Sequence, residues 1–190
     1  MARRYNDYLA EKVSANPSRF SGFAALPMHH PEAAIEELTR CVNKLGFVGA
    51  LVDGYSRMDD GRAIYYDTPE YAPFWQTVEE LNVPFYLHPA MPSETCAYKG
   101  REFMLGPVFG FAVETLLHSY RLIGSGLFDR HPNLNIVLGH LAEAYAFTVW
   151  RSDRWLQDFS KGYEAEKEIS YYFRHIFLLR LPEISLHNPS

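Results

Sequence analysis

The sequence predicts an α/β fold in which helices cover a parallel sheet. Short, continuously apolar runs alternate with longer segments of helical periodicity. Runs such as FVGALV and NIVLG show no in–out alternation, so they read as strands buried on both faces. Strand–helix alternation of this kind implies crossover connections, and crossovers make neighbouring strands parallel.

Residues 5–14 (YNDYLAEKVS) have helical composition and stop before Asn16-Pro17. Residues 20–26 (FSGFAAL) read as a first short strand. Residues 31–45 combine strong helix formers with amphipathic spacing; Pro31 suits a first helical turn, and Gly46 closes the helix. A second strand follows at 47–52, and 53–68 reads as a long polar loop. A helix is predicted over 70–81, a third strand over 84–88 (PFYLH) and a Pro/Gly-rich loop over 89–106. Next come a long apolar helix at 107–123, a short helix or turn at 124–131, and a fourth strand at 135–139 (NIVLG). Helices at 141–159 and 164–173 and a fifth strand at 175–179 (HIFLL) complete the order. Both an open doubly wound sheet and a (β/α)8 barrel fit this pattern. The absence of GxGxxG and GxxxxGK[ST] removes support from nucleotide-binding open sheets. A full barrel takes about 250 residues, so with about five strands visible the barrel reading requires further strands.

The chain has 190 residues, enough for one domain with a substantial core. A formal net charge of −5 without a basic tract argues against a nucleic-acid partner or an anionic membrane surface. No apolar run has the length of a bilayer span. The N-terminus lacks the apolar stretch of a signal peptide, and Asp7 and Glu11 argue against a transit peptide. The two cysteines, Cys41 and Cys96, form no metal or redox motif, so a reduced, cytoplasmic setting is expected. Aromatic residues make up 15% of the chain, which fits either a large aromatic core or an aromatic-lined pocket or interface.

In α/β sheets and barrels the chemistry sits where strands end. His88 closes PFYLH, His140 closes NIVLGH, and Asp53 closes the second strand. A neutral imidazole suits a divalent transition metal, and a second one can move a proton near neutral pH. A single histidine at a strand end is more often a satisfied structural residue, and two such residues shift the balance only modestly. Glu143, three residues after His140, would either orient that imidazole or simply favour a helix N-terminus. Arg151, in WRSDRW, reads from spacing as a surface ion pair with Asp153 or Asp158; a substrate-carboxylate clamp is the sharper alternative. His118 reads as a packed or interface residue in mid-helix, His131 as part of the stability face, and His29 and His30 as a helix entry. No GxSxG is present, so covalent hydrolase chemistry lacks support.

The blocks RFSGFAALPMHHPEAAIEEL, LGFVGALVDG, YYDTPEYAPFWQTVEELNVPFYLHP, GSGLFDRHPNLNIVLGHLAEA and WRSDRW together resemble the amidohydrolase-related decarboxylases. The nearest branch is that of 2,3-dihydroxybenzoate and γ-resorcylate decarboxylases, with aminocarboxymuconate-semialdehyde decarboxylase more distant. The resemblance runs from about Tyr5 to His175. It implies a distorted, TIM-like (β/α)8 barrel of the metal-dependent hydrolase superfamily, here in partial form. It also implies one divalent metal (zinc or manganese), a small aromatic carboxylic acid as substrate, and a homo-oligomer. By the same resemblance His88 is a metal ligand, His140 the catalytic histidine and Glu143 its carboxylate partner. Arg151 would hold the substrate carboxylate, reaching a neighbouring subunit's site.

Several departures qualify the resemblance. The Glu-x-His strand that opens the family pattern, and the late strand ending in Asp, have no counterpart here. Ala142 stands where Gly is common, and Asp53 where Asn is common. The chain therefore reads as truncated at both ends, with a family domain at 1–175 and a non-family tail at 176–190. The expected function is a metal-dependent non-oxidative decarboxylase (a carboxy-lyase), impaired in this chain. A non-catalytic interaction subunit and a metal-dependent hydrolase of the same superfamily are the alternatives.

Overall fold

The structure is a computed structural model that describes residues 1–58, 60–142 and 144–177. Four parallel strands form the main sheet: β1 (Phe23–Ala24), β2 (Gly49–Asp53), β5 (Phe85–His88) and β6 (Ile136–Leu138), in the order β1-β2-β5-β6. The segment expected to be one long loop at 53–68 instead contains a small antiparallel hairpin, β3 (Ser56–Arg57) with β4 (Ala63–Ile64). Each of these strands is two residues long, too short to leave a periodic signal.

Helices α1 (Ala2–Ser14), α2 (Pro31–Leu45), α3 (Ala72–Leu81), α4 (Gly110–Gly124), α5 (Leu127–Arg130), α6 (Tyr145–Leu156) and α7 (Ile169–His175) complete the order. Helix α2 forms as expected. Pro31 occupies its first turn, Glu32 and Lys44 sit at the ends the helix dipole favours, and Gly46 ends it at φ 68°. Helix α4 starts at Gly110, three residues later than expected. The helix expected from residue 141 starts only at Tyr145, because His140, Leu141 and Ala142 all adopt positive φ. Helix α7 continues through His175, so the expected fifth strand reduces to one parallel bridge between Phe177 and Ile136. Residues 178–179 of that strand, and all but the first two residues of the tail expected from 176, lie outside the described residues.

Part of the aromatic content lies in the core, while other rings, among them Phe147 and Trp150, are exposed. Phe85 of β5 packs edge-on against Phe74 and Trp75 of α3 and against Tyr66, and all four rings are buried. Trp75 Nε1 donates to the Tyr66 carbonyl at 2.7 Å, so the buried indole has its partner.

Asn6 ties α1 to the sheet. Its side-chain amide donates to the Ala25 carbonyl and accepts the Ala25 amide, both at 2.9 Å, and so behaves like a short piece of strand. The same amide nitrogen donates to Glu37 Oε1 at 2.8 Å, and Arg40 clasps both Glu37 oxygens. Burial opposes ionisation of Glu37, but the hydrogen bonds from Arg40, Asn6 and Cys41 and the charge of Arg40 outweigh it. They hold the carboxyl at about 2, well below its ordinary 4.5. A depressed carboxyl stabilises the fold above its unfolded value and loses that contribution as pH falls towards the folded one. Stability measured by urea unfolding is therefore expected to drop between about pH 4.5 and about pH 2. Glu37→Gln should flatten that acid limb while lowering stability at neutral pH.

Candidate active site

The parallel register builds the site. Asp53 and His88, the last residues of β2 and β5, are direct partners across the ladder. Their side chains emerge at the same sheet edge, with His88 Nδ1 3.9 Å from Asp53 Oδ1. Both are open to solvent, at 40% and 76% side-chain exposure, so their mutual attraction is screened.

His140 arrives from the next strand. Its ring centroid lies 5.7 Å from that of His88, with the planes nearly perpendicular at 85°. Gly139 permits this approach. A Cβ there would lie 2.4 Å from Pro89 Cδ and 3.1 Å from the Leu87 carbonyl oxygen, so any side chain would push β6 away from β5. The chain then makes a left-handed turn through His140 (φ 52°), Leu141 (φ 58°) and Ala142 (φ 53°). This region disfavours residues with a Cβ by about 1–2 kcal/mol each. Phe111 of α4 lies 5.9 Å from the His140 ring, centroid to centroid, and forms an apolar flank.

The structure thus brings His88 and His140 together and adds Asp53 beside them. Glu143 lies outside the described residues. Arg151 sits on α6, exposed, with its guanidinium over the Trp155 ring at 5.8 Å. No described hydrogen bond or ion pair joins it to His88 or His140. The surface ion pair expected of Arg151 belongs instead to its neighbour: Arg154 Nη1 meets Asp158 Oδ2 at 3.0 Å. Asp153 turns inward and accepts the Ser170 amide at 3.1 Å. One turn of helix separates Arg151 from Arg154, which spacing alone does not resolve.

The other histidines keep structural surroundings. His131 Nδ1 lies 2.9 Å from Glu79 Oε2, and His30 precedes the first turn of α2 without a side-chain capping bond. His118 is fully buried, and burial pushes its imidazole down to about 3, a shift that the nearby Gly54 backbone partly opposes. Sequence pattern alone does not single out Glu114. It is buried on α4, where it accepts hydrogen bonds from the Tyr65 hydroxyl and, at 2.9 Å, from the Ser93 amide. Burial, followed by the bond to Glu114, pushes the Tyr65 phenol up to about 12. A carboxylate four residues before a histidine in an otherwise apolar helix was the available signal.

A catalytic metal site of the zinc type needs about three protein ligands. Among the described residues no group of three or more His, Cys, Asp or Glu side chains could hold a metal ion. The donors at this edge, His88 with Asp53 and His140 nearby, therefore do not by themselves make such a site.

The sequence pattern of the family described as "Amidohydrolase" matches residues 1–168. The chain belongs to the amidohydrolase family. It is 50% identical over 183 residues to the γ-resorcylate decarboxylase of Rhizobium sp. (strain MTP-10005), a match covering 93% of this chain and 56% of the relative. The crystal structure of 2,6-dihydroxybenzoate decarboxylase from Rhizobium superposes with a TM-score of 0.88 at 50% identity, over 93% of this chain and 56% of that one. A dihydroxybenzoic acid decarboxylase from Polaromonas sp. JS666, solved with bound manganese and the inhibitor 2-nitroresorcinol, gives a TM-score of 0.88 at 49% identity, over 93% and 55%. The fold is thus the TIM-barrel type of the amidohydrolases, and the chain spans a little over half the length of these relatives. The four-stranded parallel sheet is the corresponding part of that barrel.

The left-handed turn after β6 carries a consequence of its own. Glycine meets no steric penalty at positive φ. Ala142→Gly is therefore expected to stabilise the chain by about 1 kcal/mol, the lower end of the left-handed penalty, measured as a raised urea midpoint with unchanged slope. A lowered midpoint would show that the entropy of an added glycine and the loss of the buried Ala142 methyl outweigh the left-handed penalty.

Proposed function

We propose that this chain carries part of the active site of a metal-dependent non-oxidative decarboxylase, a carboxy-lyase acting on a hydroxybenzoic acid. The observation that carries the reading is the pairing of His88 and His140 at adjoining strand ends, in a chain half identical to a γ-resorcylate decarboxylase. The substrate class is that of the relatives, with 2,6-dihydroxybenzoate the first compound to test.

His140 is the proton-moving residue. Breaking the bond between ring and carboxylate leaves an electron pair on the ring carbon; CO2 departs, and a proton must reach that carbon. An imidazole beside the ring can hold and deliver it. Glu143 is proposed as the partner that orients His140. Arg151 is proposed to hold the substrate carboxylate through the fork of its guanidinium, in the site of a second copy of the chain. Exposed aromatic side chains beside it on α6, Phe147 and Trp150, support a homo-oligomeric contact at this face. His88 is proposed as this chain's contribution to a divalent metal site, with manganese favoured by the Polaromonas relative and zinc the alternative. The donors described here do not complete that site, so no step is routed through it.

Among the described residues no helix is long and apolar enough to cross a membrane. Cys41 and Cys96 are both free thiols, which supports the cytoplasmic assignment. A second reading is a non-catalytic subunit that associates with a complete homologue; among the described residues no group of three or more His, Cys, Asp or Glu could hold a metal ion.

The 190-residue chain, supplied with manganese and 2,6-dihydroxybenzoate, is expected to bind the metal weakly and to release resorcinol and CO2 slowly in equal amounts. His140→Ala should lower that rate by about 10²- to 10⁴-fold, the usual share of a general acid or base. Resorcinol assayed by chromatography checks both. Hydrolysis of a lactone or amide without CO2 release would overturn the carboxy-lyase reading in favour of a metal hydrolase. Absence of any turnover, together with tight binding to an intact decarboxylase, would overturn it in favour of the non-catalytic subunit.

A further inference from the structure

Helix α4 carries two buried polar side chains that have no part in the proposed decarboxylation. Glu114 and His118 stand four residues apart, on one face of the helix. A buried polar group is costly unless hydrogen-bonded, so their partners indicate what they hold in place. Glu114 accepts the Ser93 amide at 2.9 Å, in the loop five residues beyond His88. His118 Nε2 accepts the Tyr66 amide at 3.1 Å, which leaves the ring proton on Nδ1, a buried atom with no hydrogen-bond partner among the described residues. Tyr66 extends the chain of bonds: its hydroxyl donates at 3.0 Å to the carbonyl oxygen of Asp53, the ladder partner of His88. Two lines of hydrogen bonds therefore leave α4. One ends on the last residue of β2, the other on the loop that follows β5.

We propose that Glu114 and His118 are positioning residues, which act through Ser93 and Tyr66 to set Asp53 and His88 against one another at the open end of the sheet. The inference rests on the reading of that end as the active site, but its test requires no turnover.

The measurement is histidine-selective ¹⁵N and ¹H NMR on the full 190-residue chain. In the wild type, His118 is expected as the Nδ1–H tautomer. Tyr66→Phe deletes the hydroxyl's bonds to the Asp53 carbonyl and, at 3.3 Å, to the Ser56 hydroxyl, and keeps the ring in the core. His118→Leu deletes the acceptor for the Tyr66 amide, whereas His118→Gln can offer a side-chain oxygen in its place. The His88 ring resonances should move by more than a linewidth in Tyr66→Phe and His118→Leu, and return towards wild type in His118→Gln. Glu114→Gln, with one acceptor oxygen fewer, should move them as well. If His118→Leu fails to fold, Tyr66→Phe carries the test. Lowered melting temperatures with unmoved His88 resonances would overturn the proposal, because a purely structural role predicts that result. Addition of 2,6-dihydroxybenzoate to the wild type reports separately on the functional reading: His88 and His140 signals that ignore the compound would count against that reading, whatever the variants show.

Discussion

The register of β2 against β5 is the constraint on which the rest of this site depends. Side chains alternate across a strand, so a slip of one residue would turn Asp53 and His88 to opposite faces. Buried residues on both strands fix the register. Ala50 and Val52 of β2, like Phe85 and Leu87 of β5, have no alternative position that keeps them out of water. The apolar interior thus positions the polar edge. His140 inherits its place in the same way, because β6 pairs with β5 and Gly139 lets the two strand ends close up.

The polar edge works against local backbone preference. Three consecutive side-chain-bearing residues in the left-handed region persist only where surrounding contacts over-determine them. One such contact comes from α4, whose Phe111 flanks the His140 ring. The same helix reaches the other strand ends through different groups: Glu114 accepts the Ser93 amide beyond β5, and His118 accepts the amide of Tyr66, whose hydroxyl bonds the Asp53 carbonyl. Strain at a functional edge and buried polar contacts behind it are two sides of one arrangement, in which rigid elements hold a few exposed groups in an otherwise unfavourable geometry.

Much of this was legible in the sequence, for identifiable reasons. Strands β5 and β6 were visible because their sequences are continuously apolar, although one face is fully buried and the other only in part, and α2 because Pro31 and Gly46 mark its ends. His88 and His140 stood out because each closes such a run. The hairpin at Ser56–Ile64 was not legible, since its pairing depends on tertiary contacts rather than on pattern. Nor was the late start of α6, because Leu141 and Ala142 are good helix formers and nothing in their chemistry announces positive φ. Asp53 was recognised as a strand end, but its place beside His88 needed the inter-strand register, which one strand alone does not contain. The stacking of Arg151 on Trp155 depends on which face of α6 each occupies and on the inward turn of Asp153.

The amide of Asn6 has a further consequence, for the company this chain keeps in solution. Among the described residues β1 is an outer strand of the main sheet, and an outer strand with free backbone groups invites another polypeptide to pair with it. At Ala25 both groups are already taken, by a side chain that imitates a peptide but has no backbone to extend the ladder. Asn6 thereby acts as a terminator: it completes the hydrogen bonding just past the end of β1 and gives an incoming strand nothing to continue there. A helix that contributes one buried residue to the interior also guards this end of the strand against edge-to-edge aggregation.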